Sequence, residues 1–349
     1  MRMTVLASGS KGNSTVIASP NTTILVDAGL SCRELLKRMK AAGENPSTLS
    51  AILITHEHQD HVTGLAVLAR KLGIPVYFTE PTHRAWVRSL TPRTTMTYAQ
   101  WLDKNQKEKE VRAAEVAAQV AKDPDAASVT VSSSWVTAQP GGASIDLAAS
   151  ADPGLIGPDA DLDSEEALCD DTTTARRDPT ALPAVEYFQA GANFSIGDIS
   201  VTAFTIPHDA ADPCGFVFES QGEHIRMAIA TDLGYVPPNV KAALRRVDVL
   251  LLESNHDLDM LKDGPYPWSV KQRVLSRVGH LSNRAAAEFL SRDYDGGAAY
   301  IVLGHLSEQN NDPSLALLAA REAVDDRMSL LGNKIVLAEQ AAPLSPITL

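Results

Sequence analysis

The apolar run AILIT at residues 51 to 55 runs straight into HEHQDH at 56 to 61. His56, His58, Asp60 and His61 therefore fall within six positions, in a chain that holds only nine histidines. Chance is a poor explanation, because buried polar rings and carboxylates need partners. A solvated loop after a strand would not need this composition. Imidazole nitrogen and carboxylate oxygen are the donors that borderline divalent metals prefer. Alternate residues of an extended segment face one way, so His56 and His58 are expected to hold one ion. Asp60 and His61 sit where the chain enters the helical pattern VTGLAVLARKLG and are expected to face a second. Two adjacent ions suggest hydrolysis. So short a cluster cannot complete two coordination spheres, and further donors must come from elsewhere.

The remaining donors are sought at the ends of apolar strands, where a rigid element presents a side chain to a cleft. Asp27 ends ILVDAG, His208 ends VTAFTIPH, Asp232 ends MAIATDLG and His305 ends YIVLGH. Any one of these alone would read as a turn or cap residue. Four together with the histidine cluster read as a site. Strands alternate with helices in both halves, which places the chain in the α/β class. SCRELLKRMKAAG is expected to be a helix capped by Ser31 and stopped at Gly43. KIVLAEQ is expected to close the fold. Other helices are expected near SVKQRVLSRVG, NRAAAEFLSRD and ALLAAREAVDDRMSLL.

Residues 101–185 differ from the rest and are expected to be a low-complexity acidic insertion that interrupts a single domain spanning 1–349. Between residues 101 and 190 there are 17 acidic and 7 basic side chains, so only −2 of the total charge of −12 lies elsewhere. KEKEVRAAEVAAQVAK within it has a helical pattern, but the rest has little to bury. Overall acidity thus says nothing against an anionic substrate. No apolar run approaches the length of a membrane span, and the three cysteines suggest a reducing, cytoplasmic setting without disulfides. SGSKGNS lacks the GK[ST] ending of a phosphate loop and reads as a tight glycine turn. Cys214 reads as a small buried residue beside the site rather than a ligand.

The order strand-Asp, HxHxDH, then His, Asp and His after later strands resembles the metallo-β-lactamase-fold hydrolases. SGSKGNS, LLESNHD, GHLSN and GHLSEQNN narrow the likeness to the YycJ/WalJ-type branch, related to ribonuclease Z. The resemblance implies a four-layer αββα sandwich carrying two divalent ions, zinc before manganese. It implies His56, His58 and His208 on one ion, Asp60, His61 and His305 on the other, and Asp232 between them. Asp27 would orient a ligand by a hydrogen bond. Asp60 also belongs to the implied catalytic set, with His280 as proton donor to the leaving oxygen and Glu253 as the acid that holds His280. Two divalent ions outweigh two carboxylates and a bridging hydroxide by one positive charge, which suits a phosphodiester.

The implied activity is 5′→3′ exonucleolytic hydrolysis, with DNA favoured over RNA as the nucleic-acid partner and no membrane association. Lys271, Arg273, Arg277 and Arg284, with Tyr266 and Trp268 nearby, give a substrate-binding pattern of cations and stacking rings. The same stretch also reads as an amphipathic helix with Val270, Val274 and Val278 on one face. A thioesterase or lactonase of the glyoxalase II type is a rival, against which GHLSN and the basic stretch weigh. A catalytically inactive nucleic-acid scaffold is another, against which the complete donor set weighs.

Overall fold

The computed structural model describes residues 1–91, 178–331 and 333–349, with side chains placed outside 325–332. Strands β1 (Arg2–Ala7), β2 (Ser14–Ala18), β3 (Thr23–Val26), β4 (Leu49–Leu53), β5 (Val76–Thr79) and β6 (Val185–Phe188) join β14 (Ile347–Thr348) in one sheet. Its order is β14-β1-β2-β3-β4-β5-β6. Strands β7 (Asn193–Ile196), β8 (Ile199–Thr205), β9 (Cys214–Ser220), β10 (Arg226–Ala230), β11 (Val249–Glu253), β12 (Tyr300–Gly304) and β13 (Lys334–Leu337) form the second, in the order β13-β12-β11-β10-β9-β8-β7. Each sheet is antiparallel along its hairpins and parallel along its crossovers: β3 to β6 in one, β10 to β13 in the other.

Alternation along single strands shows why the sheets stack. In β4, Ala51 and Leu53 join the core between the sheets, whereas Ile52 and the following Ile54 join the core under the helices. In β11, Val249 and Leu251 face the other sheet, and Leu250 and Leu252 face helices. Both faces of these parallel strands are covered, so they read as continuous apolar runs. Helices α1 (Cys32–Ala41) and α3 (Leu65–Leu72) cover the first sheet, and Asn283–Arg292 and Pro313–Leu331 cover the second. The result is the expected four-layer αββα sandwich, with each buried Leu contributing about 1.5–3 kcal/mol through burial.

Several local expectations hold. Ser31 accepts from Glu34 N at the start of α1. The pattern after the histidine cluster is two helices, α2 (Gln59–Val62) and α3, rather than one. KIVLAEQ does form β13, but the final pairing is β14 against β1. Helix α4 (Glu80–Leu90) was not expected; it is capped by Thr79 and buries only Thr82 and Trp86, so its apolar stripe is thin.

The expected acidic insertion falls mostly outside the described residues. Its residues 101–177, including the KEKEVRAAEVAAQVAK pattern, lie outside the described residues. Val185, the last residue of the expected stretch, opens β6 and pairs parallel to Val76 of β5. Among the described residues no helix is long and apolar enough to cross a membrane.

Candidate metal centre

The site lies beyond the C-terminal ends of strands from both sheets. Asp27 follows β3, Asp232 lies just beyond β10, and His305 follows β12. All three take left-handed backbone conformations, with φ of 60°, 61° and 54°. Such a turn costs about 1–2 kcal/mol for an ordinary residue, less for Asp, and persists where packing over-determines it. It bends each chain sharply out of its strand and aims the side chain across the strand ends. The β4 histidines are carried differently. The strand stops at Leu53, and His56 and His58 occupy the extended link that follows, with His58 as N-cap of α2. Asp60 and His61 lie on α2.

The expected donors converge in two sets. His56, His58 and His208 offer ligand atoms within 4.8 Å of one another, and so do Asp60, His61 and His305. Asp232 approaches both, grouping with His56 and His61. Its Oδ2 lies 3.5 Å from His61 Nε2. In the first set His208 Nε2 faces His58 Nδ1 at 3.2 Å. In the second, Asp60 Oδ2 lies 3.4 Å from His61 Nε2 and 3.6 Å from His305 Nε2.

The donors fit divalent metal ions. His56 Nε2, His305 Nε2 and Asp232 Oδ2 are buried without a hydrogen-bond partner. Each orphaned atom costs about 1–3 kcal/mol unless something binds it. Nitrogen and carboxylate oxygen in this proportion suit zinc and also manganese.

The far sides of the rings are braced. Asp27, buried, accepts from Thr55 N and Thr55 Oγ1, both at 2.9 Å, and from His61 Nδ1 at 2.8 Å. Thr55 Oγ1 also lies 3.0 Å from His56 Nδ1. His208 Nδ1 reaches Gly279 O at 3.2 Å. Glu253 is fully enclosed: Oε2 accepts from Leu233 N and Leu281 N, while Oε1 accepts from His280 Nδ1 at 2.8 Å and His305 Nδ1 at 2.9 Å. By distance alone Asp232, Glu253, His280 and His305 form a further four-donor group. Its atoms already bond one another through Glu253, so it is a brace and not an ion site.

These environments set the charges. Burial pushes His56 well below its usual range and takes His208 down to about 4. Burial opposes protonation of His61 and His305 too, but Asp60, Asp232 and their neighbours outweigh it and raise both rings well above the usual range. Burial alone would raise Glu253, yet His280 and His305 hold it down at about 2.

His280 is the most open of the groups joined through Glu253. Its side chain is 21% exposed, and its ring centroid lies 5.1 Å from those of both His208 and His305. With Nδ1 committed to Glu253, Nε2 is the nitrogen left for a substrate.

The basic stretch is less uniform than its sequence suggests. Lys271 is buried and its ammonium donates to Lys262 O at 2.7 Å, so it is not placed as a phosphate contact. Arg273 pairs with Asp209, beside His208. Arg277 stacks over Tyr235, 4.6 Å from the ring centroid. Arg284 is exposed but lines a groove with Leu315 and Leu318, between two helices. Helix Trp268–Val274 ends before Val278, which is 44% exposed, so the valine stripe is not one buried face either. Trp268 is 65% exposed. Cys214 is buried, as expected. Asn13 of the glycine turn was not expected in the site, yet its amide lies 3.1 Å from Asp60 Oδ2.

Comparison with known proteins agrees with this geometry. The pattern of the Metallo-beta-lactamase superfamily matches residues 7–126, and that of the Beta-lactamase superfamily domain matches residues 158–305. The chain is 29% identical over 327 residues to exodeoxyribonuclease YycJ of Bacillus anthracis, covering 94% of this chain and 90% of that protein. It is 29% identical over 315 residues to exodeoxyribonuclease WalJ of Streptococcus pneumoniae, covering 90% and 85%. In fold it is similar to the metallo-β-lactamase fold protein YhfI of Bacillus subtilis, with a TM-score of 0.54, 13% identity and 99% of each chain covered. The short form of human tRNase Z gives a TM-score of 0.50 at 14% identity, again over 99% of each chain.

Proposed function

The chain is a metal-dependent hydrolase of the metallo-β-lactamase fold, and we propose that it is a di-metal phosphodiesterase that removes nucleotides from DNA, working from the 5′ end. One observation carries this reading: two three-donor sets lie side by side with Asp232 reaching both, and a braced, partly exposed imidazole stands between them. The names of the relatives, exodeoxyribonucleases YycJ and WalJ, support the substrate.

His56, His58 and His208 would hold one ion, Asp60, His61 and His305 the other, and Asp232 both. Bound ions would supply a nucleophile from water and neutralise charge on the phosphodiester. Asp60, held between His61 and His305, keeps the second set in register. Glu253 accepts a hydrogen bond from His280 Nδ1–H, which stays on the ring, and so fixes its orientation. His280 Nε2–H then donates to the leaving sugar oxygen as that bond to phosphorus breaks. Arg277, flat on Tyr235, and the exposed ring of Trp268 offer a cation and a stacking face for neighbouring nucleotides.

The test is digestion of DNA and RNA labelled at defined ends, with zinc or manganese supplied. Stepwise release of mononucleotides from the 5′ end of DNA is expected. Hydrolysis of a thioester by a metal-loaded protein inert on both nucleic acids would sink the reading. The acidic stretch is proposed to be an appendage to one domain, since β5 and β6, which flank it in sequence, pair directly with each other. Replacing 92–177 by a Gly/Ser linker should leave a folded, metal-loaded protein; an insoluble product would show the stretch to be integral.

A further inference from the structure

The glycine turn SGSKGN, residues 8 to 13, leads from β1 into β2. It is no phosphate loop, but it packs against the second donor set. Asn13 is 7% exposed and its side chain is fully committed. Oδ1 accepts from Gly9 N at 2.9 Å, and Nδ2 donates to Gly9 O at 3.1 Å and to Asp60 Oδ2 at 3.1 Å. The backbone is tied as well: Asn13 N donates to Asp60 O at 2.7 Å, and Gly29 N donates to Asn13 O at 3.0 Å. The approach is so close that a Cβ at Gly29 would lie 1.7 Å from Asp60 O and 2.5 Å from Asn13 N. Only glycine fits there.

We infer that Asn13 is a positioning residue for the second metal ion, acting through Asp60. An amide nitrogen has two protons, and here both have acceptors. Nδ2 also lies 3.1 Å from His61 Nε2. With Gly9 O and Asp60 Oδ2 as the acceptors of its two protons, the amide does not draw on that nitrogen. Its partner Nδ1 meets the Asp27 carboxylate, which can only accept while ionised. The lone pair of His61 Nε2 is thereby kept for an ion, and the same amide holds the Asp60 oxygen that faces both His61 and His305. Nothing equivalent stands against His56, His58 or His208 among the described residues. The inference rests on the two-ion reading of the site.

The experiment counts ions and measures their affinities by chelator competition in the purified full chain. The native protein and His305→Ala come first. About two ions in the native chain and one in His305→Ala establish the two positions; a native chain without metal would defeat the two-ion reading instead. Asn13→Asp keeps an acceptor for Gly9 N but sets an anion beside Asp60, and Asn13→Ala removes the amide. Each should retain the first ion and weaken the second by about 10–100-fold, the usual effect of removing a group that orients a ligand. Gln340→Ala is the control for the turn itself. Gln340 accepts from Lys11 N and donates to Gly12 O without touching a donor of either set, and its loss should leave both affinities unchanged. Native affinity for both ions in Asn13→Ala would overturn the inference. So would loss of both ions from it, or equal loss of the second ion from Gln340→Ala, since the amide would then only be supporting the turn.

Discussion

The two donor sets contain similar ligands but differ in what stands behind them. In the first, His56 rests on the Thr55 hydroxyl and His208 on the Gly279 carbonyl. In the second, His61 rests on the Asp27 carboxylate and His305 on Glu253. Burial keeps His56 and His208 low, whereas at His61 and His305 the surrounding carboxylates outweigh burial and raise the rings. Ligand identity therefore does not fix the character of a metal position. A carboxylate behind an imidazole makes the ring a stronger donor and fixes its orientation, and the second position has two such braces.

The largest expected effect erases the comparison. Asp232 reaches both sets, so Asp232→Ala should lose most of both ions and with them all hydrolysis. Metal analysis of the purified variant checks this, and near-native content would show that Asp232 bridges nothing.

His280 tests whether the space between the sets does chemistry. His280→Ala should keep both ions but lose about 10²–10⁴ in kcat on DNA, the usual range for a general acid. p-Nitrophenolate leaves a phosphodiester without needing a proton, so the loss on such a substrate should be smaller. Equal losses on both substrates would argue against proton donation, and loss of an ion would make His280 a ligand.

Asp27→Asn sharpens the contrast most directly. It should weaken the second ion by about 10–100-fold and leave the first within a few-fold. Chelator competition reads both, and equal weakening would mean that Thr55, which donates to Asp27 and also meets His56, couples the two sets.

The smallest effect concerns the strand beneath the first set. Cys214 N donates to Thr55 O, and burial pushes the Cys214 thiol from 9.0 up to about 12, with Asp212 adding to the rise. Above pH 9 the unfolded chain sheds this proton while the folded chain keeps it. Its contribution to stability is therefore complete below pH 9 and falls towards pH 12, at about 1.4 kcal/mol per pH unit. Urea midpoints between pH 8 and 11 should decline less steeply in Cys214→Ala. Identical slopes would show that the thiol is not protected.

Much of this site could be read from the chain. His56, His58, Asp60 and His61 are neighbours in sequence, and Asp27, Asp232 and His305 each end an apolar strand. Composition and periodicity express such features locally, because a strand buried on both faces must be apolar until it reaches the edge of its sheet. The α/β class followed from the same local patterns. Asn13 was legible only as a turn residue, because its partner Asp60 is 47 positions away. Lys271 looked like a cation for phosphates because sequence shows its charge and not the carbonyl of Lys262 that takes its ammonium. Glu253 was read as the partner of His280 alone, yet it holds His305 as well, across 52 positions. The residue types of the two donor sets were thus written in the sequence. Which groups back them was decided only in the tertiary structure, where hydrogen bonds only a few ångströms long select partners that no local pattern encodes.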